Sequence, residues 1–588
     1  MTKTNTLILG GLLAGGLLAA PPNAAPKRDL VATLEFASFS DVSKKAMTLG
    51  TLVNNPMVPA LIVGAGQQTL TQKYGRLRMD APIYVLAYGT DGGAAVVYPC
   101  ADGPAKTLLE HPGAKKEADG TLHLLPGASR PDDCWMAFTD DSRYCAIASD
   151  AVLAKRARDD FAAGASARAR AAQAPAADAA PLLRVDVPEA GLAALAAQQD
   201  TAAKLTAPGV YNGFKNFAAL SFTLDLDETG FTAEARLTPR AGVAPSPAAG
   251  YALPAGALDA LPANAYLVAA FGNRFALGTR TEKDVNAERD ATVKFVRDTL
   301  MKDVAKVEPA KPYLPLIKAL VPALADLLRD GAPYPAARDW GASALAADNA
   351  RQLYVLSKGE VEKAGVVNAA ARKFLDQVAA AFDARWPGRH VLSKTAKGHV
   401  LDWNAVFEIG LTEGGVTNAA ERAEALADML KATKALLGDT KTEIVQANDG
   451  AKTSTLLARP GFAAPAPAAG NEARMAALLP EIAKERPGMM ACFSLYALLR
   501  DVALPAIAKS SEAKDAQEIN AVLAKLPPAE AQGGFAGAAW ANKDGSWRAF
   551  GRLTAAELKS FGSAFNAFTA ASMSSALDEK DDADDDDE

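Results

Sequence analysis

The chain has 588 residues, with 62 Lys and Arg against 68 Asp and Glu, a formal net charge of -6, 49% hydrophobic residues, 7% aromatic residues and four cysteines. This is ordinary globular composition, which excludes a small disulfide-stapled module, a fibre and an intrinsically disordered chain. At roughly 150 residues per domain, the length gives room for about three or four domains with sizeable cores.

The N-terminus carries Lys3 and then an apolar run from Leu7 to Ala20, ending before Pro21 and Pro22. That pattern reads as a secretory signal peptide within residues 1–25. The run falls short of the roughly 20 residues of a comfortable membrane span, so cleavage is expected rather than anchoring. No later segment reaches transmembrane length without charge.

Strand followed directly by helix is the first recurring pattern: Leu30 to Phe39 before Ser40 and Asp41, Ala265 to Phe271, and Met489 to Tyr496. The second pattern is a hairpin with a polar glycine turn. Ile83 to Tyr98 turns at Asp91-Gly92-Gly93, Ala219 to Leu237 at Asp227 to Gly230, Val400 to Thr417 at Glu413-Gly414-Gly415, and Phe535 to Leu553 at Asp544-Gly545-Ser546. Helical stripes run through Ile317, Leu320, Val321, Leu324 and Leu328, where Pro322 predicts a kink, and through Leu426, Met429, Leu430, Thr433 and Leu437. An Ala-rich helix and linker occupy the region near 150–181, and Ala/Pro-rich linkers follow at Ala241 to Gly256 and Ala463 to Gly470.

This grouping predicts an α+β fold rather than regular β-α-β alternation. Two similar halves are expected, residues 27–242 and 257–576, each an antiparallel sheet covered by helices. A disordered acidic tail is expected at 577–588. From Asp578 to Glu588 nine carboxylates face one Lys580, so the tail holds about -8 and leaves the remainder near +2.

Two short stretches, Leu261-Pro262-Ala263-Asn264-Ala265-Tyr266 and Gly75 through Ala81-Pro82-Ile83-Tyr84, resemble openings in families of uncharacterised exported bacterial proteins of repeated strand-helix-hairpin type. The resemblance implies export and repetition, and carries no site residues with it.

The cysteines allow one local bridge among Cys100, Cys134 and Cys145. A two-residue turn at Asp140-Asp141 would set Cys134 opposite Ile147 and Cys145 opposite Met136, whereas a three-residue turn would put the two on opposite faces, a marginal geometry that leaves Cys100 as a competing partner. Cys492 lies in an apolar run and reads as a buried, inert thiol. Catalytic motifs are broken or missing. Ser511 and Lys514 match an S-x-x-K spacing without its companion motifs. Thr69 stands where a dinucleotide loop beginning at Gly64 needs a small residue. Arg236 takes the bidentate Glu position of a calcium loop begun by Asp225 and Asp227.

The one constellation with aromatic platforms and charged grips is Trp386, Arg389, His390, His399 and Trp403, a candidate sugar- or carboxylate-binding pocket. His399 and Asp402 lie three apart on an expected strand, which sends them to opposite faces and argues against a local dyad. No cofactor and no metal are expected. Nucleic acid is not an expected partner, because no basic stripe with interleaved aromatics occurs.

These readings predict an exported, non-catalytic protein of the periplasm or cell envelope, a binding or structural module for an envelope protein or polymer. Two alternatives stay open: a periplasmic hydrolase whose carboxylates come from distant segments, and a small-ligand carrier with a cavity between sheet and helices.

Overall fold

The computed structural model describes residues 29–57, 59–60, 78–89, 93–101, 114–125, 133–171, 180–206, 213–244, 246–263, 265–304, 306, 313–331, 333–467, 469–530 and 533–581. The expected signal peptide, the Gly64 loop and Asp91 and Gly92 of the first hairpin turn lie outside these residues. The chain divides into two compact units, residues 1–199 with 214–243, and residues 200–213 with 244–588.

The first unit contains β1 (Leu30–Phe36), α1 (Phe39–Leu52), β2 (Ile83–Tyr88), β3 (Gly93–Pro99), β4 (Ala114–Lys116), β5 (Leu122–Leu124), β6 (Cys134–Phe138), β7 (Tyr144–Ala148), α2 (Ala151–Ala171), β8 (Leu183–Val187), the start of α3 (Glu189–Thr206), β9 (Phe217–Asp227) and β10 (Gly230–Pro239). All pairings are antiparallel, in the spatial order β4-β5-β6-β7-β3-β2-β1-β8-β9-β10.

Local chemistry fixes these elements. Ser38 caps α1 by accepting the Asp41 N–H at 3.1 Å. The β9–β10 turn closes where the Asp227 carboxylate accepts the Thr229 N–H at 2.7 Å, so Asp227 serves the hairpin. Period-two alternation then feeds two cores. Leu86, Tyr88, Val97 and Ala146 meet Leu153, Ala154, Ala157 and Phe161 of α2. Leu122, Leu124, Met136, Phe138 and Tyr98 pack with Phe39 and three cysteines in a second cluster. Lys45 of α1 is buried, ion-paired to Asp225 and donating to the Leu226 carbonyl at 3.2 Å, which ties α1 to β9.

The second unit contains β11 (Leu267–Gly272), α4 (Glu282–Phe295), α5 (Leu314–Asp330), β12 (Trp340–Ala347), β13 (Leu353–Glu360), α6 (Ala364–Arg385), β14 (Leu392–Lys394), β15 (Gly398–Asp402), α7 (Trp403–Glu413), α8 (Ala419–Leu437), β16 (Lys441–Asp449), β17 (Lys452–Ala458), α9 (Asn471–Leu478), β18 (Met489–Phe493), a helical run from Leu495 to Lys525, β19 (Phe535–Ala541), β20 (Trp547–Thr554) and α10 (Ala555–Asp581). Its antiparallel order is β14-β15-β16-β17-β13-β12-β11-β18-β19-β20. Strand for strand, this is the order of the first unit, so among the described residues the chain is an α+β duplication with ten strands in each half.

The second core places Val268, Ala270, Ala342, Ala344, Met490 and Ala536 on one sheet face, beneath Leu253, Leu258, Leu261 and Met475. Small strand residues let the 253–261 segment approach closely, and each fully buried leucine stabilises by about 1.5–3 kcal/mol. Ala248 and Leu253, within the Ala/Pro-rich linker 241–256, are buried. Asn471, fully buried, donates to the Leu258, Leu261 and Pro262 carbonyls at 3.1, 3.4 and 3.0 Å, which ties α9 to the 258–262 turn.

Three sequence expectations change. The segment 400–417 is not a hairpin: β15 ends at Asp402, whose carboxylate caps α7 by accepting the Asn404 N–H at 3.0 Å. Trp403, Val406, Phe407 and Gly410 fall at helical spacing, and Gly415 (φ 84) belongs to the helix-terminal turn. The β6–β7 turn is longer than two residues, because Phe138 pairs with Cys145 and Thr139 N–H reaches the Tyr144 carbonyl at 2.9 Å, with Ser142 at φ 56. That register moves Cys134 four residues from the position opposite Cys145. Finally, α10 carries helix as far as Asp581, and 582–588 lie outside the described residues.

Candidate functional site

In the second unit, α6, the turn after it, β14, β15 and α7 surround a cavity of about 610 Å³. α6 contributes Val378 and Phe382 and ends at Trp386, whose N–H reaches the Phe382 carbonyl at 2.8 Å. Gly388 (φ 81) and His390 (φ 48) reverse the chain in left-handed conformations. β14 and β15 then bring in Leu392 and Leu401, which are cross-strand partners. α7 returns across them with Trp403, Val406 and Ile409, and Tyr313 completes the wall.

The two indole N–H groups and the carboxylate of this wall are spent on neighbours. Trp386 Nε1 donates to Glu413 Oε1 at 3.1 Å, and the Arg385 guanidinium meets the same oxygen at 3.3 Å while stacking 5.2 Å above the Trp386 ring. Trp403 Nε1 donates to Thr442 Oγ1 at 2.9 Å. With both indole N–H groups occupied, ring carbon and aliphatic side chains dominate the lining. Among the lining residues Glu413 carries the one carboxylate, and two partners already hold it.

The five sequence candidates therefore separate. Trp386 and Trp403 line the cavity, one from each of two helices. Arg389 is ion-paired to Glu408, and His390 Nδ1 lies 3.3 Å from Asp383. His399, 2% exposed, faces α6 with Nε2 2.8 Å from Asp376 Oδ1, and the other carboxylate oxygen accepts from Lys394 at 2.7 Å. The Lys394 hydrogen bond, followed by that of His399, holds the Asp376 carboxyl below its usual range. Asp402, as the cap of α7, takes no part in a dyad with His399.

Sequence reasoning did not single out Val378, Phe382, Val406, Ile409 or Tyr313. Apolar residues at helical spacing read as core, and a cavity between two helix faces leaves no separate sequence mark. In the first unit, Cys100 and Cys145 approach with Sγ atoms 3.0 Å apart, whereas Cys134 belongs to a different stretch of the same buried cluster. Among the described residues, no group of three or more His, Cys, Asp and Glu side chains is arranged to hold a metal ion. No helix among them is long and apolar enough to cross a membrane.

No family model matches the chain, and no characterised relative matches it by sequence. Among solved structures it is similar to TP0453 in crystal form III, with 9% identity over 38% of this chain and 82% of that chain and a TM-score of 0.22. In crystal form IV the likeness is 10% identity over 37% and 81%, with a TM-score of 0.21.

Proposed function

We propose that the protein is an exported, non-catalytic binding protein of the cell envelope that takes an apolar ligand, or the apolar part of one, into the α6–α7 cavity. One observation carries this reading: a cavity of about 610 Å³ walled by Val378, Phe382, Trp386, Leu401, Trp403, Val406 and Ile409, with both indole N–H groups already paired. That size lies within the range of small-molecule sites, about 300–1,000 Å³, and such sites are walled mainly by apolar and aromatic side chains. The N-terminal apolar run supports export. The hydrolase alternative would draw support from paired acids lining one cleft, and Glu413 stands singly here.

The test uses the full chain and the fluorescent fatty acid cis-parinaric acid, read by energy transfer from tryptophan. Saturable binding is expected, with the Val406→Asp variant losing at least about tenfold in affinity because a carboxylate is unfavourable on an apolar wall. Circular dichroism checks that the variant remains folded. Absence of saturable binding, or equal binding by the folded variant, would overturn the reading.

A further inference from the structure

A second cavity of the same unit, about 520 Å³, lies where β11, β12 and β13 end, and its chemistry is opposite to that of the first. Gly272, Trp340 and Glu360 are successive cross-strand partners, so an indole and a carboxylate stand side by side on one sheet face. A Cβ on Gly272 would meet the Tyr251 ring at 1.9 Å, so the absence of a side chain there makes room for that ring, whose hydroxyl donates to the Asp339 carbonyl at 3.3 Å. Arg274 and Arg338 complete the wall.

Arg274 is the unusual member. Its Nε is buried without an acceptor, a condition shared with Arg78, Arg289, Arg385, Arg474, Arg500 and Arg552. Each of those six has an ion pair or a hydrogen bond. Arg274 has neither among the described residues, and its guanidinium lies 5.8 Å from the Tyr334 ring centroid. Arg338 has only Glu362, at 3.9 Å. The Glu360 carboxylate has no hydrogen bond or ion pair among the described residues.

We propose that this cavity binds a saccharide. Sugar hydroxyls both donate and accept, so they satisfy unspent guanidinium donors and an unspent carboxylate at once, and the C–H face of a pyranose packs on an indole. A simple oxyanion would satisfy Arg274 but meet Glu360 as a like charge, and an apolar group would leave the guanidinium N–H unpaired. The site is separate from the α6–α7 cavity, so failure of either reading leaves the other standing.

The experiment screens the full chain on an array of immobilised glycans and follows the strongest hit by saturation-transfer NMR, with inorganic phosphate as a second probe. Saccharide binding is expected, weakened at least about tenfold in both Arg274→Gln and Trp340→Ala. Val406→Asp is expected to leave it unchanged. Absence of any glycan binding, binding of phosphate alone, or hits indifferent to both substitutions would overturn the proposal.

A different observation, in the first unit, carries a second inference. Tyr98 pairs with Cys145, and the Cys100 N–H reaches the Arg143 carbonyl at 2.9 Å, so Cys100 and Cys145 are diagonal neighbours on one face of the β3–β7 ladder. Their sulfurs are 3.0 Å apart, about 1 Å beyond bonding distance. Cys134 lies four residues along β6 from Phe138, the partner of Cys145, a separation of about 13 Å along a strand.

We infer that Cys100 and Cys145 close a disulfide in the mature protein, and that Cys134 and Cys492 keep their thiols. The oxidant is a disulfide, either of glutathione or of an envelope oxidoreductase. One cysteine thiolate attacks it and expels a thiol, and the other resolves the mixed disulfide and releases the second thiol. The two cysteine protons end on the two released thiols, and the two electrons reduce the oxidant. Cys145 is fully buried and Cys100 is 7% exposed, so exchange precedes completion of the core. Burial, reinforced by the neighbouring Cys100, pushes the Cys145 thiol well up, which keeps the packed reduced form unreactive.

Refolding the full chain with glutathione disulfide, then alkylating and mapping it without reduction, tests the bridge independently of export. A linked Cys100–Cys145 peptide with alkylated Cys134 and Cys492 is expected. Four alkylated cysteines, or a bridge to Cys134, would overturn it.

Discussion

The two halves share a strand order but differ in the length of chain that joins matching strands. In the first half, residues 100–113 join β3 to β4 and residues 125–133 join β5 to β6. At the same two points the second half has the longer connections 361–391, containing α6, and 403–440, containing α7 and α8. Both helices that wall the apolar cavity therefore belong to the longer connections of the second half. The sheet fixes where these connections leave and return, and their helices supply walls of the cavity.

This comparison can be broken at several points. Met136→Ala, at a fully buried site in the first half, is expected to cost about 2–5 kcal/mol through a cavity, measured by chemical denaturation. It should lower the first half's unfolding midpoint while cis-parinaric acid binding in the second half persists. Loss of both together would show that the halves are not separable. Asn471→Ala removes the donor shared by three carbonyls and should cost about 1–3 kcal/mol in the second half. Unchanged stability would remove Asn471 from the second half's supports.

Asp402→Ala deletes the cap of α7 and should cost about 1 kcal/mol, together with weaker probe binding, because α7 is one wall of the cavity. Weaker stability with unaltered binding would separate the helix from the site. The smallest effect concerns acid. Asp376 titrates below its unfolded value of about 3.9, so its stabilising contribution is present above that pH and disappears as pH falls through the folded value. Asp376→Asn should flatten this part of the acid-unfolding profile, and an unaltered profile would contradict the assignment.

Much of the frame was readable because its turns carry their own chemistry. Asp227 to Gly230 and Asp544 to Ser546 close hairpins at the expected places, and Gly545 sits at φ 85. The β6–β7 register was not readable, since it depends on Ser142 adopting φ 56 within a longer turn. Residues 403–413 carried helical spacing, but Glu413-Gly414-Gly415 suggested a hairpin turn rather than a helix end. In the candidate site the tryptophans were identifiable by type, whereas the charged candidates were already committed to Glu408, Asp383 and Asp376, partners that only folding reveals.

The most direct measurement is hydrogen–deuterium exchange on the full chain with and without cis-parinaric acid. Protection confined to peptides spanning 378–392 and 401–414, with none at 100–113 or 125–133, is the predicted result. Protection at the first half's connections, or no ligand-dependent protection in α6 and α7, would contradict a binding site built from the longer connections of the second half.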